Sequence, residues 1–272
     1  MPTGVQLVDL ACVLVDLDGV VYRGRDVIPG APDFFPLARR LGLGLQVITN
    51  NSSQTPEEYV DKLAGYGIDV TPEEVLTSGE AAARYLEERA PKAKTFVIGE
   101  SGLRQALMRR GFEIDAGRPD FVVVGIDRQF TYEKLKTAAT AILDGAQFIA
   151  TNPDTQLPTE TGLMPGTGSI VAAVAAASGT EPIFMGKPKP YLCELALRRF
   201  ACPPHLSAMI GDRLDTDVAS GIAAGTTTVL VLSGISTSAD LETAAPEERP
   251  DYVFSDLAAF GSALADARAG TA

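Results

Sequence analysis

The chain has 272 residues, 46% hydrophobic and 21% charged, an ordinary globular composition that excludes a disordered or fibrous chain. Its 23 Lys and Arg against 35 Asp and Glu leave a formal charge of −12, so the surface repels phosphate backbones and a nucleic-acid partner is not expected. A site for an anionic substrate must therefore make its positive potential locally, from a metal ion, a lysine or helix N-termini.

No apolar run approaches the ~20 residues of a membrane span. The opening stretch lacks a basic n-region and is interrupted by Asp9, Asp16 and Asp18, so neither a signal peptide nor a membrane partner is expected. Cys12, Cys193 and Cys202 contain no C-x-x-C pair and read as reduced thiols of a cytoplasmic protein.

Along the chain, short apolar runs alternate with amphipathic stretches. Strands are expected at 12–15, 45–48, 95–98, 121–124, 148–150, 208–210, 228–232 and 252–254. Helices are expected at 56–66, 79–88, 103–110, 132–143, 169–177, 189–200 and 218–224. Strands alternating with helices predict an α/β fold with parallel sheets covered on both faces. The polar stretch 239–250 reads as a surface connection before the last strand.

Chemistry-bearing residues gather at the ends of four of these strands, where open α/β sheets place their ligands. The first strand ends in Asp16-Leu17-Asp18-Gly19, two carboxylates at i, i+2 that share a side while the chain stays extended. One carboxylate can attack phosphorus and the other can move the proton. Asp18-Gly19 between apolar runs is equally a hairpin signal, and both readings hold if a hairpin follows the acids.

The second strand opens into Thr49-Asn50-Asn51-Ser52-Ser53. These hydroxyls, amides and backbone N–H groups can hold phosphate oxygens, but they also suit an ordinary helix-capping loop. In Gly186-Lys187-Pro188-Lys189-Pro190 the prolines favour an extended backbone at each lysine. An ammonium fixed there can neutralise a carboxylate nucleophile and a phosphoryl group together, although an isolated lysine in a Pro-rich loop reads as surface. The fourth strand ends in Gly211-Asp212-Arg213-Leu214-Asp215-Thr216-Asp217, acids of the kind that hold Mg2+. Their spacing does not match a calcium loop, and Asp215 reads as a helix-capping residue.

In order, content and placement, these four motifs resemble the signatures of the haloacid dehalogenase superfamily of aspartate-nucleophile phosphatases. VLVDLDGVVYRG, VITNNSS and IGDRLDTDV are similar to the NagD-like, p-nitrophenylphosphatase subfamily with its large C2a-type cap. The resemblance covers nearly the whole chain. It implies a Rossmann-like, doubly wound parallel-sheet core with an inserted smaller α/β cap domain.

Carried over residue by residue, it makes Asp16 the nucleophile and Asp18 the general acid/base. Thr49, Asn50 and Asn51 become phosphate contacts, and Lys187 balances charge around nucleophile and phosphate. Asp16, the backbone carbonyl of Asp18, and Asp212 become the Mg2+ ligands. Asp217 is implied in the metal's outer shell or as the group that orients Lys187.

Thr49 and Lys187 are 138 residues apart, and the interval holds several strand–helix units of its own. The resemblance places the hinges of that insertion and so implies core 1–77, cap 78–183 and core 184–272. Within the cap, Thr151-Asn152-Pro153-Asp154 and Met164-Pro165-Gly166-Thr167-Gly168-Ser169 read as loops facing the site, with Asn152 reaching the substrate or its phosphate. The Gly-Thr-Gly segment lacks the P-loop lysine and reads as a tight turn opening a helix. His205 reads as a surface residue.

The activity implied is Mg2+-dependent hydrolysis of a small phosphomonoester through an aspartyl-phosphate. The substrate is of nucleoside monophosphate, sugar phosphate or p-nitrophenyl phosphate type, and exposed cap surface is compatible with a homodimer. A phospho-acceptor signalling domain shares the aspartates, hydroxyl and lysine, but Asp18 favours rapid hydrolysis over a lasting phospho-aspartate. A metal-independent dehalogenase needs neither Asp18 nor the second acidic motif.

Overall fold

A computed structural model describes residues 6–159 and 162–270. The first core segment runs through β1 (Cys12–Val15), β2 (Tyr22–Arg23), β3 (Asp26–Val27), α1 (Ala31–Arg40), β4 (Gly44–Thr49), α2 (Pro56–Ala64) and β5 (Val75–Thr77). The chain then enters α3 (Ser78–Arg89), β6 (Lys94–Ile98), α4 (Ser101–Arg109), β7 (Glu113–Ile114), β8 (Phe121–Val124), α5 (Tyr132–Leu143) and β9 (Gln147–Ala150). A hairpin of β10 (Gln156–Thr159) and β11 (Gly162–Pro165) precedes α6 (Thr167–Ser178) and β12 (Ile183–Phe184). The chain returns to the core through α7 (Tyr191–Phe200), β13 (Ser207–Gly211), α8 (Ala219–Ala224), β14 (Thr227–Val231), α9 (Ser238–Thr243), β15 (Tyr252–Phe254) and α10 (Leu257–Ala269).

The chain forms two compact units. One comprises residues 1–49, 60–76 and 187–272; the other comprises 50–59 and 77–186. The first holds a six-stranded sheet of order β15-β14-β13-β1-β4-β5, parallel at the pairings β14–β15, β13–β14, β1–β13 and β1–β4. All residues of β1, β13 and β14 are buried, as expected for strands covered on both faces. The chain progresses one way from β1 through β4 and the other way through β13, so β1 marks the topological switch point where such sheets bind ligands. Val15 lies level with both Ile210 and Val47, which brings the ends of three motif-bearing strands into line.

The second unit has its own parallel sheet, ordered β12-β9-β8-β6-β7. Ile98, Val122, Val124 and Phe148 from its strands pack with Ile142, Ile170 and Val174 from α5 and α6. The architecture is thus an α/β core interrupted by a smaller α/β domain. No helix among the described residues is long and apolar enough to cross a membrane.

The expected strands and helices are present, with ends shifted by at most two residues. α1 and α10 were not anticipated. α1 contains Pro36, which removes one helical hydrogen bond, yet it buries Phe34, Phe35 and Ala38 on one face and tertiary packing outweighs the loss. α10 has no charged residue in its first turn, but the Asp256 side chain accepts from the Ala259 N–H and caps it. The polar stretch before β15 is more than a connection, because Thr237 caps the short α9 within it.

The expected cap bounds, 78–183, also differ from the observed unit. β12 pairs with β9, and Met185 and Gly186 extend that pairing by donating N–H groups to Ala150 and Thr151, so the insertion runs to Gly186. Residues 50–59 join the same unit: the Ser53 carbonyl accepts from the Gly102 N–H at 3.0 Å, and Glu57 pairs with Arg109 at 2.7 Å.

A Cβ on Gly102 would lie 2.4 Å from the Gln54 carbonyl oxygen and 2.7 Å from its nitrogen, so backbone must shift. Gly102→Ala is expected to cost about 1–3 kcal/mol, read as a lowered melting temperature. Gly117→Ala, with nothing within 4 Å of its Cβ, serves as the neutral control.

Candidate active site

Asp16 leaves the end of β1 with its N–H donating to the Ile210 carbonyl at 3.0 Å, and its side chain is buried. Lys187 is buried as well, and its Nζ lies 2.6 Å from Asp16 Oδ1 and 2.6 Å from Asp217 Oδ1. The other oxygen of Asp217 accepts the backbone N–H groups of Asp212 and Arg213, at 3.2 and 3.1 Å. Asp217 reaches them from a wide, π-helical turn, Leu214–Val218, that leads into α8; such turns are frequent at functional sites.

Asp212 follows β13, and its Oδ2 accepts from the Ile235 N–H at 2.7 Å. It is seated between two glycines, since a Cβ on Gly19 would come within 2.2 Å of that oxygen and one on Gly234 within 2.0 Å. Gly19 also has φ +79°, a left-handed conformation that glycine adopts without steric cost. Its carbonyl accepts from Ser233 Oγ at 2.7 Å. Asp18-Gly19 therefore makes both the acidic strand end and a turn: the Gly19 N–H donates to Tyr22, and the β2–β3 hairpin follows.

Oxygens of Asp16, Asp212 and Asp217 lie within 4.8 Å of one another. Burial pushes the Asp212 carboxyl up to about 7, and Asp217 adds to the effect against the Ile235 N–H and Lys187. Asp16 is likewise raised by burial, opposed by Lys187 and reinforced by Asp217 and Asp212. Burial lowers the Lys187 pKa, but the two carboxylates beside it outweigh that and hold the ammonium charged. One cation among three buried carboxylates leaves surplus negative charge, and hard oxygen donors in that number suit Mg2+. The residues present therefore fit the metal, with Asp217 already engaged by Lys187 and two N–H groups.

Asp18 keeps solvent-accessible surface, yet the protein around it raises its carboxyl, with Lys62 and then Lys187 pulling the other way. Lys62 was not anticipated; it stands on α2, 3.6 Å from the centre of the Tyr22 ring. The loop Ser233–Ser236 was missed too. It supplies the Ile235 N–H to Asp212 and the Ser236 hydroxyl to the Leu214 N–H, and its place at the end of β14 was the available signal.

Thr49 is buried at the end of β4 within the first unit. Asn50, Asn51 and Asn152 belong to the second unit. There Asn152 is buried, with its Nδ2 donating to the Asn50 carbonyl at 2.7 Å and its Oδ1 accepting from the Asp154 N–H at 3.1 Å. Asn51 Oδ1 accepts from the Ser53 N–H at 2.9 Å. Asp215 forms an exposed pair with Arg213, His205 is exposed, and Gly166-Thr167-Gly168 opens α6.

A parallel sheet whose switch point carries a buried aspartate, a charge-paired lysine and further acids suits an α/β protein of phosphoryl chemistry, hydrolytic or phospho-accepting. Comparison with known proteins identifies the class. The haloacid dehalogenase-like hydrolase profile matches residues 13–113, and the HAD-hydrolase-like profile matches 184–260. An acid sugar phosphatase of Staphylococcus aureus is 42% identical over 245 residues, 90% of this chain and 94% of that protein. The structure of a 4-nitrophenylphosphatase from Thermotoga maritima superposes with a TM-score of 0.90 at 37% identity, covering 95% of this chain and 98% of that one. A glycerol phosphate phosphatase from Mycobacterium tuberculosis, solved in complex with magnesium, superposes at 0.86 with 34% identity, over 97% of this chain and 78% of the other. The chain belongs to the haloacid dehalogenase-like hydrolases.

Removing the buried ammonium leaves Asp16 and Asp217 without their shared cation, so Lys187→Met is expected to cost about 3–5 kcal/mol, read by thermal unfolding. Mg2+ is expected to raise the wild-type melting temperature by mass action, and Asp212→Asn to abolish most of that rise.

Proposed function

We propose that the protein is a Mg2+-dependent phosphomonoesterase that hydrolyses small phosphorylated metabolites through an aspartyl-phosphate on Asp16. The observation that carries the proposal is the buried line Asp16–Lys187–Asp217, with Asp212 alongside, at the switch point of the core sheet. Asp16 attacks phosphorus in line with the leaving oxygen, forming the O–P bond of the acyl phosphate as the ester P–O bond breaks. Asp18 gives its proton to the departing alkoxide, and the environment that raises its pKa suits that role. It then takes a proton from the water that attacks phosphorus, which releases inorganic phosphate and restores the Asp16 carboxylate.

Lys187 holds Asp16 oriented and offsets charge on the phosphoryl oxygens, while Asp217 fixes Lys187. Thr49, Asn50 and Asn51 are the phosphate contacts in this reading. Asp16, the Asp18 carbonyl and Asp212 would hold Mg2+, which would supply charge neutralisation for the reacting carboxylate and phosphoryl oxygens. Sugar phosphates rank first among substrates because of the 42% identity to an acid sugar phosphatase; glycerol phosphate and p-nitrophenyl phosphate follow from the structural relatives. The free, buried thiols of all three cysteines fit a reducing, cytoplasmic compartment.

The test is phosphate release from a panel of small phosphomonoesters with Mg2+ or EDTA. Release is expected with Mg2+ only, and Asp16→Asn is expected to abolish it while the circular dichroism spectrum is unchanged. Turnover by Asp16→Asn at the wild-type rate would exclude Asp16 as nucleophile.

A further inference from the structure

The loop Ser233–Ser236, which follows β14, holds both acidic strand ends of the core unit at once. Toward β1, the Ser233 hydroxyl donates to the Gly19 carbonyl at 2.7 Å in a buried bond. The Arg23 side chain donates to the Ser233 carbonyl and so ties the loop to the β2–β3 hairpin. Toward β13, the Ile235 N–H donates to Asp212 Oδ2 at 2.7 Å, and the Ser236 N–H donates to the Asp212 carbonyl at 3.0 Å. The Ser236 hydroxyl accepts from the Leu214 N–H at 3.1 Å. One loop therefore grips Asp212 by side chain and main chain, and reaches Gly19 as well.

The peptide joining Asp18 to Gly19 is planar and trans, so its N–H and its carbonyl point in opposite directions. The N–H donates to the Tyr22 carbonyl at 2.8 Å, which turns the Asp18 carbonyl away from Tyr22. The next peptide begins at the Gly19 carbonyl, the group that Ser233 holds. With the peptides on either side fixed, the two dihedrals of Gly19 are fixed between them. Gly19 has φ +79° and, lacking a Cβ, a wide choice of backbone conformations. It is the point at which the Asp18 carbonyl could turn if Ser233 let go.

We propose that Ser233 is a positioning residue for Mg2+: by fixing Gly19 it sets the direction of the Asp18 carbonyl, while its own loop sets that of the Asp212 carboxylate. The proposal rests on the reading of Asp16, the Asp18 carbonyl and Asp212 as the metal ligands. It gives a loop that carries no charged side chain control over the affinity for the metal. Partners that orient metal ligands are commonly worth about 10–100-fold in metal affinity.

Isothermal titration calorimetry of the full chain with Mg2+ alone, without any ester, reads the effect. Ser233→Ala is expected to weaken Mg2+ binding by about tenfold. The Mg2+ concentration for half-maximal phosphate release should rise by the same factor, with added Mg2+ recovering the lost turnover. Ser233→Cys, whose thiol is only a weak donor, should shift both in the same direction, and it carries the comparison if Ser233→Ala does not fold. Gly102→Ala, in the other unit, is the control for lost stability: its melting temperature falls while its Mg2+ dissociation constant stays at the wild-type value.

A wild-type Mg2+ dissociation constant in the folded Ser233 variants would overturn the proposal. Equal weakening in Gly102→Ala would overturn it too, because the effect would then follow stability alone. Asp212→Asn separates these outcomes from a failure of the ligand assignment. If that variant binds Mg2+ as the wild type does, the assignment fails and the role of Ser233 falls with it. If it loses Mg2+ while the Ser233 variants keep it, the assignment stands and only the role of Ser233 falls.

Discussion

The structure depends first on a buried ammonium shared by two carboxylates. Lys187 touches Asp16 and Asp217 at 2.6 Å each, and burying any one of these charges alone would cost several kcal/mol. Their mutual presence makes the arrangement tolerable and also specific. Asp217 cannot move without releasing the N–H groups of Asp212 and Arg213, and Asp212 leaves no room for a side chain at Gly19 or Gly234. A chain of short-range constraints therefore runs from the π-helical turn at 214–218 through the lysine to the end of β1. Neither acid alone would specify the position of Asp16. The lysine ties the end of β1 to the turn that follows β13.

The same economy shows in where the chain changes unit. It passes from core to insertion between Thr49 and Asn50, and back to the core between Gly186 and Lys187. Both changeovers abut residues assigned to the chemistry. On the core side, Thr49 and Lys187 are buried in a parallel sheet whose strands leave little freedom. On the insertion side, Asn50 and Gly186 are secured by hydrogen bonds to Asn152 and Thr151. Motif residues at such points are pinned by two separately packed bodies, one on either side of a peptide bond.

Much of this was legible in the sequence because strand-end chemistry is local. Asp16, Asp18, Thr49 and Asp212 follow directly from apolar runs, and a reader who finds the runs finds the residues. The α/β alternation was equally plain, since buried parallel strands and amphipathic helices have different periods. What escaped was held by tertiary contact. α1 carries a proline that argues against a helix until Phe34 and Phe35 find their core. Ser233–Ser236 carries no charged side chain, and its use lies in backbone N–H groups that sequence cannot direct. Lys62 is one of three lysines on helices, with nothing to mark it until the fold brings it near Asp18. The extra three residues of the insertion were missed for a similar reason: pairing to β9, and not composition, decides that Ile183–Phe184 belongs there.

A protein with a formal charge of −12 that acts on phosphate esters faces an electrostatic difficulty, and the site answers it by concentration rather than by accumulation of base. No basic patch is needed when one ammonium is buried among its partners, because its field there is screened far less than at the surface. The surrounding carboxylates exceed that single charge, and burial with mutual repulsion raises two of them. This imbalance would be a defect in a purely structural cluster, where a fully neutral arrangement packs at lower cost. In a site that would hold a divalent cation, it is the charge that the metal would balance. Asp16 and Asp212 would hold the metal, which together with Lys187 would offset charge on the phosphoryl group. The acidic surface outside remains free to keep polyanions away, so the charge that excludes nucleic acid and the charge that receives a small phosphate need not conflict.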